Sequence, residues 1–284
     1  MSTVAIVGAG DLGGACAQAL AACECVGRVL LVDSAGPVAA GKALDIQQSG
    51  AVDEFHTRLS GTDDFTAVTG AAVVIVADRS GTPASEWQGE EGLALVRRAQ
   101  QYSSGAPFVF AGAQQIELMR LIGADLQVGP RTREKLIGSA SEAYASAVRA
   151  IVALEAGCSP TEVTLAVLGV PPDFVVPWSE ASIGGYALER VLSPVQVTRI
   201  QARAARLWPP GPWTLGLAAA RVAEAIATTS RRTFSVLTLL GGEFGVRNRI
   251  GALPVLLSTQ GIASVRVPLL NTRERVQLET ALGA

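Results

Sequence analysis

TVAIVGAGDLGGACAQALAACECVGRVLLVD, residues 3–33, carries the strongest fold signal in the chain. The short apolar run Val4–Val7 meets a Gly-x-Gly-x-x-Gly segment, which predicts a strand that turns tightly into a helix. A second apolar run follows and ends in Asp33, twenty positions after Gly13. In this order the turn brings a pyrophosphate to the N-terminus of the helix, and the final carboxylate accepts ribose hydroxyls. The stretch therefore predicts a βαβ unit that binds a dinucleotide.

Each glycine of the segment has a physical task. Gly8 permits the tight turn, Gly10 lets backbone N–H groups approach the pyrophosphate, and Gly13 lets the helix pack closely on the strand. Asp33 would repel a 2′-phosphate, which favours NAD over NADP. The cofactor contacts predicted on the turn and at the ends of the strands are Gly8, Ala9, Gly10, Asp11, Leu12, Gly13, Asp33, Ser34, Ala77 and Asp78.

Composition excludes several classes of partner. The 284 residues are 49% hydrophobic and 17% charged, as in a compact globular protein. The formal net charge is −2 and the sequence has no basic run, so we expect neither nucleic acid nor an anionic membrane surface as a partner. No apolar stretch reaches membrane-spanning length and no signal peptide is recognisable, so we expect a cytoplasmic protein.

The few cysteine and histidine residues limit metal and redox chemistry. Cys16 lies within the predicted helix and is expected to be a small buried side chain. Cys23 and Cys25 lie near the end of that helix without a histidine nearby, and the fourth cysteine is Cys158. We therefore predict no metal site and no disulfide. The single histidine, His56, is expected to be exposed and inert.

Apolar runs alternate with helical patterns as far as about residue 140. This alternation predicts an α/β domain over residues 1–140, with a doubly wound parallel sheet whose ligands lie at the carboxyl ends of the strands. The polar segment Gly81–Glu91 is expected to be a loop over those ends, with Trp87 exposed on it.

The pattern changes after that point. Short strands are predicted at Glu162–Leu168 and Val175–Trp178, and antiparallel strands between Phe234 and Val267. A final helix is expected to begin after Asn271, a good N-cap residue. Residues 141–284 are therefore predicted to form a second domain of α+β type.

Several segments resemble the lactate/malate dehydrogenase family, and its bacterial NAD-dependent malate dehydrogenases most of all. GAGDLGGACAQAL and LLVDS resemble the cofactor segment, and GKALDIQQS (41–49) resembles a dimer-contact helix. Further similar segments are KLIGSASEAYASAVRAIVALEAGCS (135–159), PPDFVVPWS (171–179) and GEFGVRNRIGALPVLLSTQGIASV (242–265). The resemblance implies a Rossmann domain followed by the family's α+β domain, NAD as the cofactor, and a homodimer or tetramer.

The family's catalytic residues are substituted. By resemblance, its histidine base falls at Pro171, and the aspartate that orients this base falls at Tyr144. Its carboxylate-binding arginine falls at Ala147, and the two arginines of its mobile loop fall at Pro83 and Gly89. Since a general base alone contributes roughly 10²–10⁴-fold to rate, turnover of malate or lactate is not expected.

Three other positions keep a family-like residue. Asp173 matches the aspartate that follows the family's histidine, and Arg149 matches an arginine that we interpret as structural. Gln114 stands for an asparagine, and it could still hydrogen-bond the nicotinamide ribose or another ligand.

Three hypotheses follow. The first is a pseudoenzyme that binds NAD and has a regulatory or structural role. Such a protein could also form a hetero-oligomer with an active relative. The second is an NAD-dependent oxidoreductase for a different, non-dicarboxylate substrate. The candidates to replace the family's catalytic groups are Tyr144 and Asp173, and further candidates are Glu142 and the pair Asp78–Arg79. The third is a binding module whose cofactor loop is a relic, against which the intact Asp33 argues.

Overall fold

A computed structural model describes residues 2–81, 85–125 and 130–283, in which strands and helices follow one another in the predicted order. The strands are β1 Thr3–Val7, β2 Arg28–Val32, β3 Arg58–Thr62, β4 Val73–Val76, β5 Asp78–Arg79, β6 Ser85–Glu86, β7 Phe108–Phe110, β8 Leu136–Gly138, β9 Val163–Thr164, β10 Leu168–Val170, β11 Asp173–Val175, β12 Ser182–Ile183, β13 Tyr186–Ala187, β14 Thr233–Gly241, β15 Arg247–Ser258 and β16 Gly261–Val265. The helices are α1 Asp11–Ala22, α2 Gly36–Asp53, α3 Gly89–Tyr102, α4 Ile116–Asp125, α5 Pro130–Lys135, α6 Ala140–Ala156, α7 Leu188–Val191, α8 Pro194–Ala204, α9 Pro212–Thr228 and α10 Thr272–Leu282.

The first half of the chain forms a parallel sheet in the order β8-β7-β4-β1-β2-β3. β14 lies antiparallel to β8 and extends the same sheet through β15 to the hairpin β10-β11. This arrangement confirms the predicted Rossmann α/β fold. The strand order reverses between β1 and β4, so the crevice for a ligand lies beyond the carboxyl ends of these two strands.

The central strands are apolar on both sides because helices cover both faces of the sheet. All four residues of β4 and the last four of β1 are buried. On one face α1 packs against α9, where a Cβ on Gly216 would lie 2.9 Å from the carbonyl oxygen of Leu12. The absence of a side chain at Gly216 therefore lets the second half of the chain hold α1, and with it the glycine turn, close to the sheet.

Two elements differ from the prediction. The segment predicted as the loop Gly81–Glu91 contains β6, which pairs with β5 and places Asp78 opposite Glu86. Trp87 is buried, with 5% of its surface exposed, because it packs into the core beneath this hairpin instead of facing solvent.

The strand prediction around the two prolines is also wrong in its bounds. β10 begins only at Leu168, the last residue of the first predicted strand, and β11 begins at Asp173, two residues before the second. Pro171 and Pro172 form a tight turn, and the pairing of Val170 with Asp173 extends both strands up to it. The antiparallel strands β14–β16 and the Asn271 cap of α10 agree with the prediction.

Candidate functional site

The glycine turn lies between β1 and α1, and its residues Gly8, Ala9 and Gly10 are buried. Gly8 has a φ of +117°, which a side chain would make costly, and a Cβ there would lie 2.3 Å from the carbonyl oxygen of Asp78. A Cβ on Gly13 would lie 2.2 Å from the carbonyl oxygen of Gly8. The turn thus has the backbone geometry that the spacing of its glycines predicts.

Asp33 follows β2 and is buried, and both of its carboxylate oxygens accept hydrogen bonds. The N–H groups of Ala9 (2.8 Å) and Ser80 (2.9 Å) donate to Oδ2. The N–H of Ala35 (3.0 Å) and the hydroxyl of Ser80 (2.9 Å) donate to Oδ1. Burial acts to raise the pKa of Asp33, but these hydrogen bonds outweigh it and hold the pKa below its usual value. The hydroxyl of the exposed neighbour Ser34 also donates to Oδ1, at 3.5 Å.

Asp78 follows β4 and points into the glycine turn. Its carboxylate accepts hydrogen bonds from the N–H groups of Leu12 (3.2 Å) and Gly13 (2.9 Å), in the first turn of α1. Its backbone carbonyl accepts from the N–H of Gly10 at 3.0 Å. The side chain fills the space above Gly10, where a Cβ would lie 2.3 Å from Oδ2. Burial raises the pKa of Asp78 although the N–H groups of Gly13 and Leu12 and the charge of Lys42 act in the opposite direction.

Glu86 makes a similar contact at the end of β7. Its carboxylate accepts from the N–H groups of Ala113 (3.0 Å) and Gln114 (2.7 Å), and it fills the space above Gly112, where a Cβ would lie 2.0 Å from Oε2. Burial raises the pKa of Glu86, and the nearby charge of Asp78 raises it further. Each strand of the hairpin β5-β6 thus inserts one carboxylate, Asp78 at the turn after β1 and Glu86 at the turn after β7.

These contacts bear on how a dinucleotide would fit. The N–H groups at the start of α1 are the donors for a pyrophosphate, and Asp78 already uses them. The oxygens of Asp33 are the acceptors for a ribose, and a carboxylate offers about four acceptor positions. Hydrogen bonds from Ala9, Ala35 and Ser80 already fill these positions. The described conformation therefore has the cofactor-binding elements in place but does not fit a bound dinucleotide.

Sequence reasoning missed two residues here. Glu86 could have been noticed as an acidic side chain next to a tryptophan in a segment expected to cover the site. Gln115 is fully buried; it accepts from the N–H of Gly112 and donates to the carbonyl of Ala77. The predicted contact Gln114 is exposed, and its side chain accepts from Gln88.

Tyr144 and Asp173, the replacement candidates, lie together in another place. Both line a cavity of about 610 Å³ whose other walls come from residues 174–281, and no residue of the glycine turn lines it. The hydroxyl of Tyr144 donates to the carbonyl of Ala204 at 3.2 Å, and its ring stacks on Phe174. Burial raises the pKa of Tyr144, which leaves the phenol protonated.

The other candidates are engaged in structural contacts. The Glu142 carboxylate pairs with Arg149 and accepts from the N–H of Ser235 at 2.8 Å, which ties α6 to β14. Arg79 pairs with Glu91 at 3.0 Å and lies over the ring of Trp87.

At the positions to which the resemblance assigns the family's catalytic residues, the described side chains offer no ionisable group other than Tyr144. Pro171 and Ala147 are partly buried, and Gly89 is exposed at the start of α3, while Pro83 lies outside the described residues. His56 is exposed, as predicted, and pairs with Glu24 at 3.1 Å.

The prediction of no disulfide is wrong. Cys23 and Cys25 are bonded to each other across a Cα–Cα distance of 5.3 Å. The intervening Glu24 adopts a positive φ of 50°, which turns both cysteines to the same side. A carboxylate oxygen of Glu224 lies within 4.8 Å of the sulfurs, but sulfurs bonded to each other are not thiolate ligands for a metal.

The chain is similar to known proteins in both sequence and structure. Residues 2–101 match the family model described as lactate/malate dehydrogenase, NAD binding domain. A malate dehydrogenase of Cytophaga hutchinsonii is 29% identical over 98% of this chain and 94% of its own length. One from Pelagibacter ubique is 25% identical over 100% of this chain and 95% of its own length.

Solved structures agree on the fold. The malate dehydrogenase of Salinibacter ruber superposes with a TM-score of 0.85 at 22% identity, covering 99% of this chain and 94% of that protein. The malate dehydrogenase of Aeropyrum pernix gives the same TM-score at 20% identity, with coverages of 99% and 95%. Among the helices that the structure describes, none has the length and apolar character needed to cross a membrane.

Proposed function

We propose that this chain, whose residues 2–101 match the NAD binding domain of lactate/malate dehydrogenase, is a pseudoenzyme of that family: an NAD-binding protein that does not oxidise malate or lactate. Its role is then regulatory or structural, in the cytoplasm, alone or together with an active relative. Asp33 at the end of β2 makes NAD, and not NADP, the preferred dinucleotide.

The observation that carries this proposal is the lack of a base. The reaction needs a group that takes the proton of the 2-hydroxyl, and it needs cations that hold the substrate carboxylate. His56 is the only histidine in the sequence, and its side chain is 91% exposed beside Glu24. It is remote in sequence from both Tyr144 and Asp173. The position of the family's histidine holds Pro171, whose side chain has no proton to exchange.

The first test is a thermal-shift titration with NAD, NADH and, as the control, NADP. Binding to the native state raises the melting temperature by mass action. We expect a rise with millimolar NAD or NADH and a smaller one with NADP. The pure protein should produce no NADH from malate or lactate, and should consume none with the corresponding keto acids. Turnover above background would overturn the pseudoenzyme proposal, and the absence of any shift would overturn NAD binding.

The cavity beside Tyr144 supports a second candidate function, an oxidoreductase for a non-dicarboxylate substrate. The cavity brings together a phenol, the Asp173 carboxylate and the ring of Trp178. No residue of the glycine turn lines the cavity, which favours the pseudoenzyme over this alternative. NAD reduction with neutral alcohols that is lost in Tyr144→Phe would reverse this preference.

We also propose that the chain forms a homodimer through α2. This helix contains the segment similar to the family's dimer-contact helix, and it leaves Val38, Leu44 and Val52 exposed. Exposed apolar side chains grouped on one helix are typical of an interface.

A further inference from the structure

We propose that the chain holds its own dinucleotide site closed, with the carboxylate of Asp78 in the place of the cofactor's pyrophosphate and the hairpin β5-β6 held across the crevice by Glu86. The inference rests on the proposed NAD binding and adds how that binding is restrained. A dinucleotide enters by exchanging one anion for another at the start of α1.

The backbone donors at the start of α1 are already engaged within the chain. A helix N-terminus binds a phosphate through free backbone N–H groups. In this chain the N–H groups of Leu12 and Gly13 both donate to Asp78, and that of Gly10 donates to the Asp78 carbonyl. The N–H of Ala9 donates to Asp33. A diphosphate would have to displace these acceptors before it could make its own hydrogen bonds.

The space above two glycines at this edge of the sheet is also occupied. Gly10 and Gly112 provide room for a close approach at the ends of β1 and β7. A Cβ on either residue would lie 2.0–2.3 Å from a carboxylate oxygen, of Asp78 above Gly10 and of Glu86 above Gly112. The room that the glycines leave is therefore filled by side chains of the same molecule.

The position of the hairpin β5-β6 supports the same inference. β5 follows β4 directly, and β6 ends at Glu86, which bonds to the residues after β7. The strand order places β4 between β1 and β7, so the two carboxylates lie over the turns on either side of β4. Ser80 fixes the same segment to Asp33 through its N–H and its hydroxyl, at the end of β2. The segment thus contacts the turns after β1, β2 and β7, along the edge where a dinucleotide lies in this fold.

The charge balance agrees with an exchange of anions. Lys42 on α2 donates to the carbonyl of Gly10 at 2.6 Å, and its charge acts on Asp78. The same cation would face a phosphate bound at the turn. With Asp78 in place, the positive end of α1 and Lys42 are already neutralised, and a second anion would meet repulsion.

The test compares the wild type with Asp78→Gly and Asp78→Asn by isothermal titration calorimetry, with NAD and with inorganic pyrophosphate as separate probes. Asp78→Gly empties the space above Gly10 and frees the N–H groups of Leu12 and Gly13, the two donors that the side chain occupies. Asp78→Asn keeps the volume and removes the charge, and it remains informative if the glycine variant unfolds. We expect affinity for both probes to rise about tenfold or more in Asp78→Gly and by a smaller factor in Asp78→Asn.

The matched control is Asp45→Asn, which removes the same charge from an exposed position on α2, the helix that also carries Lys42. Asp45 does not fill the space above Gly10, so we expect a gain of about threefold at most. An equal gain in both asparagine variants would mean a general charge effect and would overturn the inference.

The remaining outcomes separate the two proposals. If the wild type binds NAD as tightly as the Asp78 variants do, the site is not closed and NAD binding stands. If the Asp78 variants gain affinity for pyrophosphate but no form binds NAD, the closed site stands and the proposed NAD binding fails. If removing Asp78 changes affinity for neither probe, the closed site is overturned.

Discussion

Asp33 shows how one side chain serves two requirements. The motif places it where a ribose would be held, and the folded chain uses it to join the segments after β1, β2 and β4. Since its folded-state pKa is lowered, its carboxylate stabilises the fold above the unfolded pKa of about 4, and this contribution is lost as the pH falls through the folded pKa.

We therefore expect Asp33→Asn to lower the free energy of unfolding by about 2 kcal/mol at pH 7, because an amide cannot accept from donors on both of its sides. Urea denaturation of the two proteins should show this difference shrinking below about pH 4. Asp45→Asn, an exposed change on α2, is the control and should be nearly neutral at both pH values. A difference that stays constant with pH would show that the hydrogen bonds do not depend on the charge.

At the scale of elements, the contact between the start of α1 and the end of β4 is the unusual feature of this chain. Gly10 has a φ of −74°, which alanine adopts without strain, and the three atoms nearest to a methyl group there all belong to the side chain of Asp78. The contact can therefore be measured by a double-mutant cycle.

Gly10→Ala should cost about 1–3 kcal/mol of stability in the wild type through overpacking. The same change should cost much less in the Asp78→Gly background, where the opposing carboxylate is absent. Chemical denaturation of the four proteins gives the coupling. Gly41→Ala on α2, where a Cβ would have no neighbour within 4 Å, is the control and should be neutral or stabilising. Equal costs in the two backgrounds would mean that Asp78 does not fill this space.

At the scale of the whole molecule, one mixed sheet extends from β3 through the parallel strands to β15 and the hairpin β10-β11. The cofactor edge and the cavity beside Tyr144 are built by different parts of the chain. This arrangement agrees with a protein that keeps the family's fold without bringing Tyr144 or Asp173 to the glycine turn.

The proposed homodimer belongs to this scale. Leu44→Glu places a charge on the exposed face of α2, where the wild-type side chain is 57% exposed, and should convert a dimer into a monomer in sedimentation velocity. Leu154→Glu, at a 69% exposed leucine on α6, is the matched control and should leave the dimer intact. If both variants remain dimeric, α2 is not part of the dimer contact. If the wild type itself sediments as a monomer, the proposed homodimer is wrong.

The sequence by itself predicted the βαβ unit, the resemblance to the lactate/malate dehydrogenase family, and the absence of a histidine where that resemblance puts the base. These features depend on the spacing of glycines along the chain, on periodic apolar runs, and on which residue types are present at all. A histidine that is not encoded cannot be restored by folding.

Only the tertiary structure decided what fills the site. Asp78 and the N–H groups of Leu12 and Gly13 are more than sixty positions apart. They meet because β4 lies beside β1 in the parallel sheet, and sequence spacing carries no information on where a side chain after one strand will point. The bond between Cys23 and Cys25 likewise depends on the left-handed backbone of Glu24. Whether the acid after β4 binds a ligand or replaces one is therefore a property of the fold.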